Sequence, residues 1–260
     1  NADLVQAMDE IRSQKNVKFK AEWPLKWEFK GPDNYGGRTR CLVIDKDDPK
    51  IMYTGGVSGG VFKSTNKGAS WRAITLGDDN FGVVSMAQSS DGSIVYGTGE
   101  AGLLLTPQIA DEGSGFQGVG MYRSTDGETF EPVATSQTFG NIYVITQHPT
   151  ENKLFSGSSN GIRVSTDNGV TWTLVRGGSC KDIKFNKNGV ALAYIGSSVW
   201  RSTNPSDGNS YSLISELGSS VRSSVAWSDS DPNYCYVVSA AAVAFDGITY
   251  GSALKGLYKS

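Results

Sequence analysis

The sequence predicts an all-β protein, specifically a β-propeller built from four-stranded antiparallel blades. One phrase, Ser-Thr-Asp/Asn-x-Gly-x-Thr/Ser-aromatic, recurs along the chain and is called the box below. Apolar segments of strand length lie between the boxes, separated by turns rich in Asp, Asn, Pro and Gly. The 260 residues include 32 glycines but only 8 prolines, which is typical of many tight turns between short strands.

The spacing of the boxes fits the repeat length of a propeller. They begin at Ser64, Ser124, Ser165 and Ser202, and a fifth begins at Ser260, so successive spacings are 60, 41, 37 and 58 residues. A unit of about 40 residues is the usual size of a four-stranded blade, and two units carry insertions.

Each unit reads as four strands. In the first, "CLVID" leads through the turn "KDDPK" to "IMYTGG", then to "GVFKS", the box and "WRAI". One such sheet cannot bury both faces alone, so the units must pack face to face. A flat sandwich would also suit the strands, but it does not require one turn to recur at one phase of a repeat.

The chain is therefore divided into a lead-in and a propeller. Residues 1–26 hold a short amphipathic helix, with Leu4, Met8 and Ile11 at helical spacing, and a connecting segment. Residues 27–260 form an incomplete propeller with blades at about 37–75, 80–135, 140–176, 180–215 and 222–260. The fifth blade stops after its third strand, so we expect further blades of the same polypeptide beyond Ser260.

The box is interpreted as a structural hairpin between the third and fourth strands. An Asp or Asn side chain accepts backbone N–H groups, a glycine supplies the bend, and the aromatic packs on apolar residues of its own and the next unit. The predicted residues are Ser64, Asn66, Gly68 and Trp71; Ser124, Asp126, Gly127 and Phe130; Ser165, Asp167, Gly169 and Trp172; and Ser202, Asn204, Gly208 and Tyr211.

Composition narrows the classes of partner. The net charge is −2 and no block of Lys or Arg stands out, which argues against nucleic acid. No apolar run is long enough for a membrane span. Cys41, Cys180 and Cys235 lie far apart in strand-like runs and read as buried free thiols. We expect no cofactor and no metal site.

A few polar residues are weak candidates for chemistry. The insertion before Gly120 brings Glu100, Asp111 and Glu112 close in sequence, and paired carboxylates near a cleft can act as acid and base. His148 and the Asp45–Asp47–Asp48 group are interpreted as turn residues. A second insertion, "AAVAFDGITYGSALK", is expected to share a rim with the first.

At the boxes the chain resembles the Asp-box (bacterial neuraminidase repeat) propellers, which include sialidases, xyloglucanase-type hydrolases and the sortilin ectodomain. The segments "GPDNYGGRTRCLVID", "YGTGE" and "GVGMYRSTDG" resemble the first two blades of sortilin-like repeat proteins secreted by Bacteroidota. The resemblance covers residues 27–260. It implies seven blades in the complete protein, an extracellular or cell-surface location and export as a type IX secretion cargo.

The sequence lacks catalytic motifs of the enzymes among the Asp-box propellers. No Arg-Ile-Pro occurs, and Arg38 and Arg40 stand in a different context, which argues against a sialidase. A catalytic aspartate of xyloglucanase-type enzymes falls on Val57, which cannot donate a proton. The sequence thus favours a non-enzymatic scaffold that binds a protein or glycan; the alternative is a divergent glycoside hydrolase.

Overall fold

The computed structural model describes residues 38–57, 59–75, 82–99, 117–218, 220–245 and 248–260. All of them belong to one structural unit, residues 31–260. The helix predicted within residues 1–26 lies outside the described residues. Within the described ranges, the helical elements are two 3₁₀ turns, Ser136–Phe139 and Gly208–Ser210.

The described chain forms four four-stranded antiparallel sheets and one three-stranded sheet, each a meander of consecutive strands. The first two sheets are β1 Thr39–Ile44, β2 Met52–Gly56, β3 Gly60–Ser64, β4 Arg72–Ala73; and β5 Val83–Gln88, β6 Ile94–Thr98, β7 Met121–Ser124, β8 Glu131–Pro132. The next two are β9 Ile142–Gln147, β10 Leu154–Ser158, β11 Gly161–Ser165, β12 Thr173–Arg176; and β13 Cys180–Phe185, β14 Ala191–Ile195, β15 Ser198–Ser202, β16 Ser212–Glu216. The fifth is β17 Ser220–Trp227, β18 Cys235–Phe245, β19 Ile248–Lys259.

Consecutive sheets pack against each other as the blades of a propeller. The first strand of each sheet contacts the first strand of the next, from β1 through β5, β9 and β13 to β17. Each of the four buried apolar clusters combines side chains from two consecutive sheets. Because the core lies between sheets, the predicted propeller of antiparallel blades is confirmed, and the sheets are called blades 1 to 5.

Glycines in the second strands allow the blades to approach closely. A Cβ on Gly55 would lie 2.4 Å from Val83 of blade 2, and a Cβ on Gly97 would lie 2.4 Å from Ile142 of blade 3. A Cβ on Gly157 would lie 2.7 Å from the carbonyl oxygen of Cys180 in blade 4. The "GG", "GTG" and "SGS" endings of these strands therefore position the next innermost strand.

The second insertion is part of the sheet. Strand β17 pairs with β18 as far as Ala241, whereas the pairing of β18 with β19 continues to Phe245 and Ile248. The sequence pattern ended the second strand at Ser239 and began the third at Gly256; that boundary is wrong. The result is a two-stranded hairpin that extends past the edge of blade 5.

Candidate functional site

The first three boxes fold as side-chain-capped turns. Ser165 Oγ donates to Asp167 Oδ1 (2.8 Å) and accepts the N–H of Gly169 (2.8 Å), while Asp167 Oδ1 accepts the N–H of Thr171 (2.9 Å). The same pattern links Ser64, Asn66, Gly68 and Ser70 in the first box. Gly68 and Gly169 have positive φ angles of 80° and 88°. The chain therefore reverses on local hydrogen bonds.

The second box is one residue shorter but uses the same acceptor. Asp126 Oδ1 accepts the N–H groups of Thr129 and Glu128 at 2.8 Å each, and the Ser124 hydroxyl donates to it at 2.8 Å. These bonds, led by the one from Thr129, lower the pKa of Asp126 to about 2. The carboxylate is held ionised by its own turn.

The fourth box differs from the prediction. The side chain of Asp207, rather than that of Asn204, accepts a backbone N–H, from Asn209 at 2.9 Å. The backbone carbonyl of Asn204 accepts the Ser210 hydroxyl and the N–H of Asp207. Gly208 begins a 3₁₀ turn and has no positive φ. A Cβ there would lie 2.0 Å from the carbonyl oxygen of Val175 in blade 3. This glycine is needed for close approach of two blades.

Each box from the second onward is also a joint with the preceding blade. A Cβ on Gly127 would meet Tyr53 Oη of blade 1 at 2.0 Å, and one on Gly169 would meet Val95 of blade 2 at 2.7 Å. The aromatic residues of the boxes also contact the preceding blade. Phe130 packs in the cluster between blades 1 and 2, and Tyr211 packs in the cluster between blades 3 and 4.

Trp172 likewise packs in the cluster between blades 2 and 3, and it donates from Nε1 to Gly169 O at 3.1 Å. Trp71 of the first box is half-buried. The expectation that the aromatic packs on the next unit is therefore wrong for the second, third and fourth boxes. The box follows the third strand, and its aromatic turns back toward the blade before it.

Basic side chains complete these joints. Lys63 of blade 1 donates to Gly127 O (3.3 Å) and to Glu128 Oε1 (2.7 Å), and Arg123 of blade 2 donates to Asn168 O (2.7 Å). Arg176 of blade 3 donates to Gly208 O at 3.0 Å. In three successive joints a basic side chain therefore donates a hydrogen bond to a backbone carbonyl of the next box. These side chains have a structural role.

His148 lies in the turn after the first strand of blade 3 and is buried. Its Nδ1 accepts the N–H of Glu151 at 3.1 Å, which leaves Nε2 to donate to Gly189 O of blade 4 at 3.3 Å. Both ring nitrogens thus hold turns in place.

Asp45 has the same position in blade 1. It accepts the N–H groups of Asp47 and Asp48 and the side-chain amide of Gln88 from blade 2. Burial opposes ionisation, but the N–H groups outweigh it and lower the pKa of Asp45. In the described part of the chain, no group of three or more His, Cys, Asp or Glu is arranged to hold a metal ion.

Asp182 is a buried carboxylate that sequence reasoning missed. It lies on β13, and its Oδ2 accepts the N–H of Val225 in the first strand of blade 5 at 3.0 Å. Burial raises its pKa, and Lys184, 3.7 Å from Oδ1, partly opposes that rise. The strand "CKDIKF" holds three charged residues, so its pattern gives no signal that Asp182 is the buried one, which joins two blades.

The weak catalytic candidates Glu100, Asp111 and Glu112 lie outside the described residues. The ends of their insertion are described: Gly118 N donates to Asn141 Oδ1 of blade 3 at 2.8 Å, and a Cβ on Gly99 would lie 2.3 Å from the same atom. Val57 is buried, and its N–H donates to Arg38 O. Among the described residues, no helix is long and apolar enough to cross a bilayer.

The blade order, the inter-blade cores and the box joints define this chain as a β-propeller protein. No protein-family model matches the chain, and no curated protein is significantly similar to it. Solved structures do match. An ancestral GH74 enzyme superposes with a TM-score of 0.59 at 17% identity, over 86% of this chain and 32% of that one.

Two further structures are similar to the same extent. The GH74 xyloglucanase from Xanthomonas campestris matches with a TM-score of 0.55 at 13% identity, over 82% of this chain and 37% of its own. YCF48 from Cyanidioschyzon merolae matches with a TM-score of 0.54 at 14% identity, over 84% and 71%. The chain spans about a third of the GH74 proteins, and at these identities the likeness establishes the fold alone.

Proposed function

We propose that this chain is part of a secreted or cell-surface β-propeller of the Asp-box, sortilin-like type, which serves as a non-enzymatic scaffold for a protein or glycan. The observation that carries the proposal is the hairpin of β18 and β19, whose pairing runs past β17 to Phe245 and Ile248. A paired hairpin loses less entropy on binding than a free loop does, and it projects from a rigid blade.

We propose that both insertions lie at one rim. Both connect the second and third strands of their blades, and such connections leave a meander at the same edge. The titratable residues of the joints, by contrast, are engaged in structure, as His148, Asp126 and Asp182 illustrate. This distribution favours binding at the rim over chemistry at the joints.

A glycan array, with purified surface proteins tested in parallel by pull-down, tests the proposal with the chain as it stands. We expect binding of one defined ligand that is lost when residues 242–252 are replaced by Asn-Gly, which joins the paired residues Ala241 and Ala253. Blade 5 should keep its stability, because that pairing lies past the end of β17. Undiminished binding by the shortened variant would contradict the proposed role of the hairpin.

The alternative is a divergent glycoside hydrolase, since the fold that this chain shares with GH74 proteins can carry such chemistry. It predicts release of reducing ends from a polysaccharide and loss of that turnover in Glu100→Gln. Turnover that Glu100→Gln abolishes would overturn the scaffold proposal.

We also propose that further blades of the same polypeptide cover the outer faces of blades 1 and 5. Leu42 is 57% exposed, although its equivalents Met86, Ile145 and Ile183 are buried. Tyr236 and Val238 lie on one face of β18 and are 36% and 47% exposed, although Tyr53, Val95, Phe155 and Leu192, the equivalents of Tyr236, are buried in the clusters between blades. The intact mass of the native protein tests this: a mass near the 27.8 kDa of this chain would contradict it.

A further inference from the structure

Arg163 is a buried cation on β11, and only 8% of its surface is exposed. Its Nη1 donates to Ser158 Oγ at 3.1 Å, and its guanidinium carbon lies 3.9 Å from the ring centroid of Phe139. Within the described part of the chain, no carboxylate forms an ion pair with it. A guanidinium has five N–H donors and stays charged, so the described residues satisfy only a small part of its hydrogen-bonding capacity.

The comparison with the other basic residues at the joints shows how unusual this is. Lys63 meets Glu128 at 2.7 Å, and Arg123 meets Asp91 at 3.2 Å. Arg176 is less buried and donates to a carbonyl oxygen. A buried charge without a partner of opposite sign is costly, and such groups are normally paired.

A second unsatisfied group lies on the same face of the same blade. Ser156 is the cross-strand partner of Arg163, and its Oγ is buried with no hydrogen-bond partner among the described residues. Leu154 and Phe139 both belong to the cluster between blades 2 and 3. Because residues alternate along a strand, Ser156, Ser158 and Arg163 face blade 2 together with Leu154. A cation and an unsatisfied hydroxyl therefore occupy one joint.

We propose that the joint between blades 2 and 3 binds a carboxylate, held by the Arg163 guanidinium with the Ser156 hydroxyl as a further donor. A planar carboxylate matches the two parallel N–H groups on one edge of a guanidinium, and a single positive charge balances it. A phosphate would bring more negative charge than this one cation neutralises. The face of Phe139 holds the guanidinium flat and limits its orientation.

The ligand of this site is the carboxylate of a solute. Acetate is a small probe with this chemistry, because it carries one planar carboxylate and one negative charge.

Thermal unfolding in sodium acetate, compared with sodium chloride at equal ionic strength, tests the site. We expect an acetate-dependent rise in Tm in the wild-type chain, with an affinity at least about tenfold weaker in Arg163→Gln, since a hydrogen bond to a charged group is lost. Arg123→Gln is the matched control: its arginine already pairs with Asp91, so it should keep the acetate response. The measured quantity is the acetate-dependent increment, so a less stable variant remains informative.

The proposal is overturned if the wild-type chain shows no acetate-dependent rise in Tm, or if Arg163→Gln keeps the full response.

Discussion

Gly208 shows at the scale of one residue how a repeated glycine can have different causes. In the first three boxes the glycine has a positive φ, as at Gly169 with 88°, whereas Gly208 lies in a 3₁₀ turn and faces a carbonyl oxygen of blade 3. A backbone oxygen cannot move aside as the end of a side chain can. The fourth box is therefore constrained by its neighbour more than by its own dihedral angles.

This predicts the effect of an alanine at position 208. Gly208→Ala should lower the free energy of unfolding by about 2 kcal/mol, because its Cβ would lie 2.0 Å from Val175 O. Gly177→Ala is the control, since nothing lies within 4 Å of its Cβ and its φ is not positive. Urea unfolding of both variants measures the difference. Equal stability of the two variants would contradict the close approach.

Two carboxylates have pKa values shifted in opposite directions, so their effects on the free energy of unfolding should change with pH in opposite ways. The pKa of Asp126 is about 2, so its stabilising contribution is present above the unfolded value, about 3.9, and is lost as pH falls toward 2. The pKa of Asp182 is raised. Between its unfolded and folded values the native state binds more protons, so the free energy of unfolding falls as pH rises.

Asp182→Asn should therefore gain stability relative to the wild type as pH rises through the folded pKa of Asp182. The asparagine amide oxygen can still accept the N–H of Val225. Unfolding titrations from pH 3 upward measure the difference, and NMR of the carboxyl carbons reports both pKa values. A constant difference between the two chains across this range would show that the Asp182 carboxylate is not desolvated.

At the scale of elements, a box belongs to two blades at once. It closes the hairpin between the third and fourth strands of its own blade, and it presents a carbonyl to a cation of the preceding blade. Arg176 makes the third of these contacts, and its guanidinium also lies 4.2 Å from the ring centroid of Trp200. Hydrogen bonding and stacking are combined at one side chain.

Arg176→Met should therefore cost about 1–2 kcal/mol of unfolding free energy, from a charge-assisted hydrogen bond and a cation–π contact. Arg201→Met, at an exposed position of the third strand of blade 4, should change it by less than about 0.5 kcal/mol. Equilibrium unfolding monitored by tryptophan fluorescence compares them. If both substitutions had the same effect, the joint would not depend on Arg176.

At the scale of the whole molecule, the stability of each blade depends on its neighbours, as in other repeat architectures. Blades 2 to 4 bury apolar faces on both sides, whereas Leu42 on blade 1 and Val238 on blade 5 are exposed. The same row of the repeat is thus core in one blade and surface in another.

Substitutions on the corresponding face of two blades should reveal this difference. Leu192→Ala, in the core between blades 4 and 5, should cost about 3 kcal/mol, whereas Val238→Ala, on the corresponding face of the second strand of blade 5, should cost less than about 1 kcal/mol in this chain. In a longer polypeptide with the proposed further blades, the cost of Val238→Ala should rise toward the first value. Similar small costs in both polypeptides would show that no blade covers this face.

The sequence by itself determined the architecture: the box recurs at the length of a blade, and alternating apolar strands between turns leave face-to-face packing as the way to bury them. The tertiary structure decided which side chains of neighbouring blades contact each other. These contacts lie between residues of different strands or blades. Phe130 and Tyr211 contact the preceding blade, Asp182 accepts a hydrogen bond from blade 5, and Arg163 stacks on Phe139. Local pattern fixes the period of a strand and the residues of a turn, but it carries no information on which side chain of a neighbouring blade meets them. The candidate site could not be read from the sequence for this reason: its unusual feature is a buried cation that no carboxylate of the described residues pairs, and pairing across blades depends on the tertiary structure.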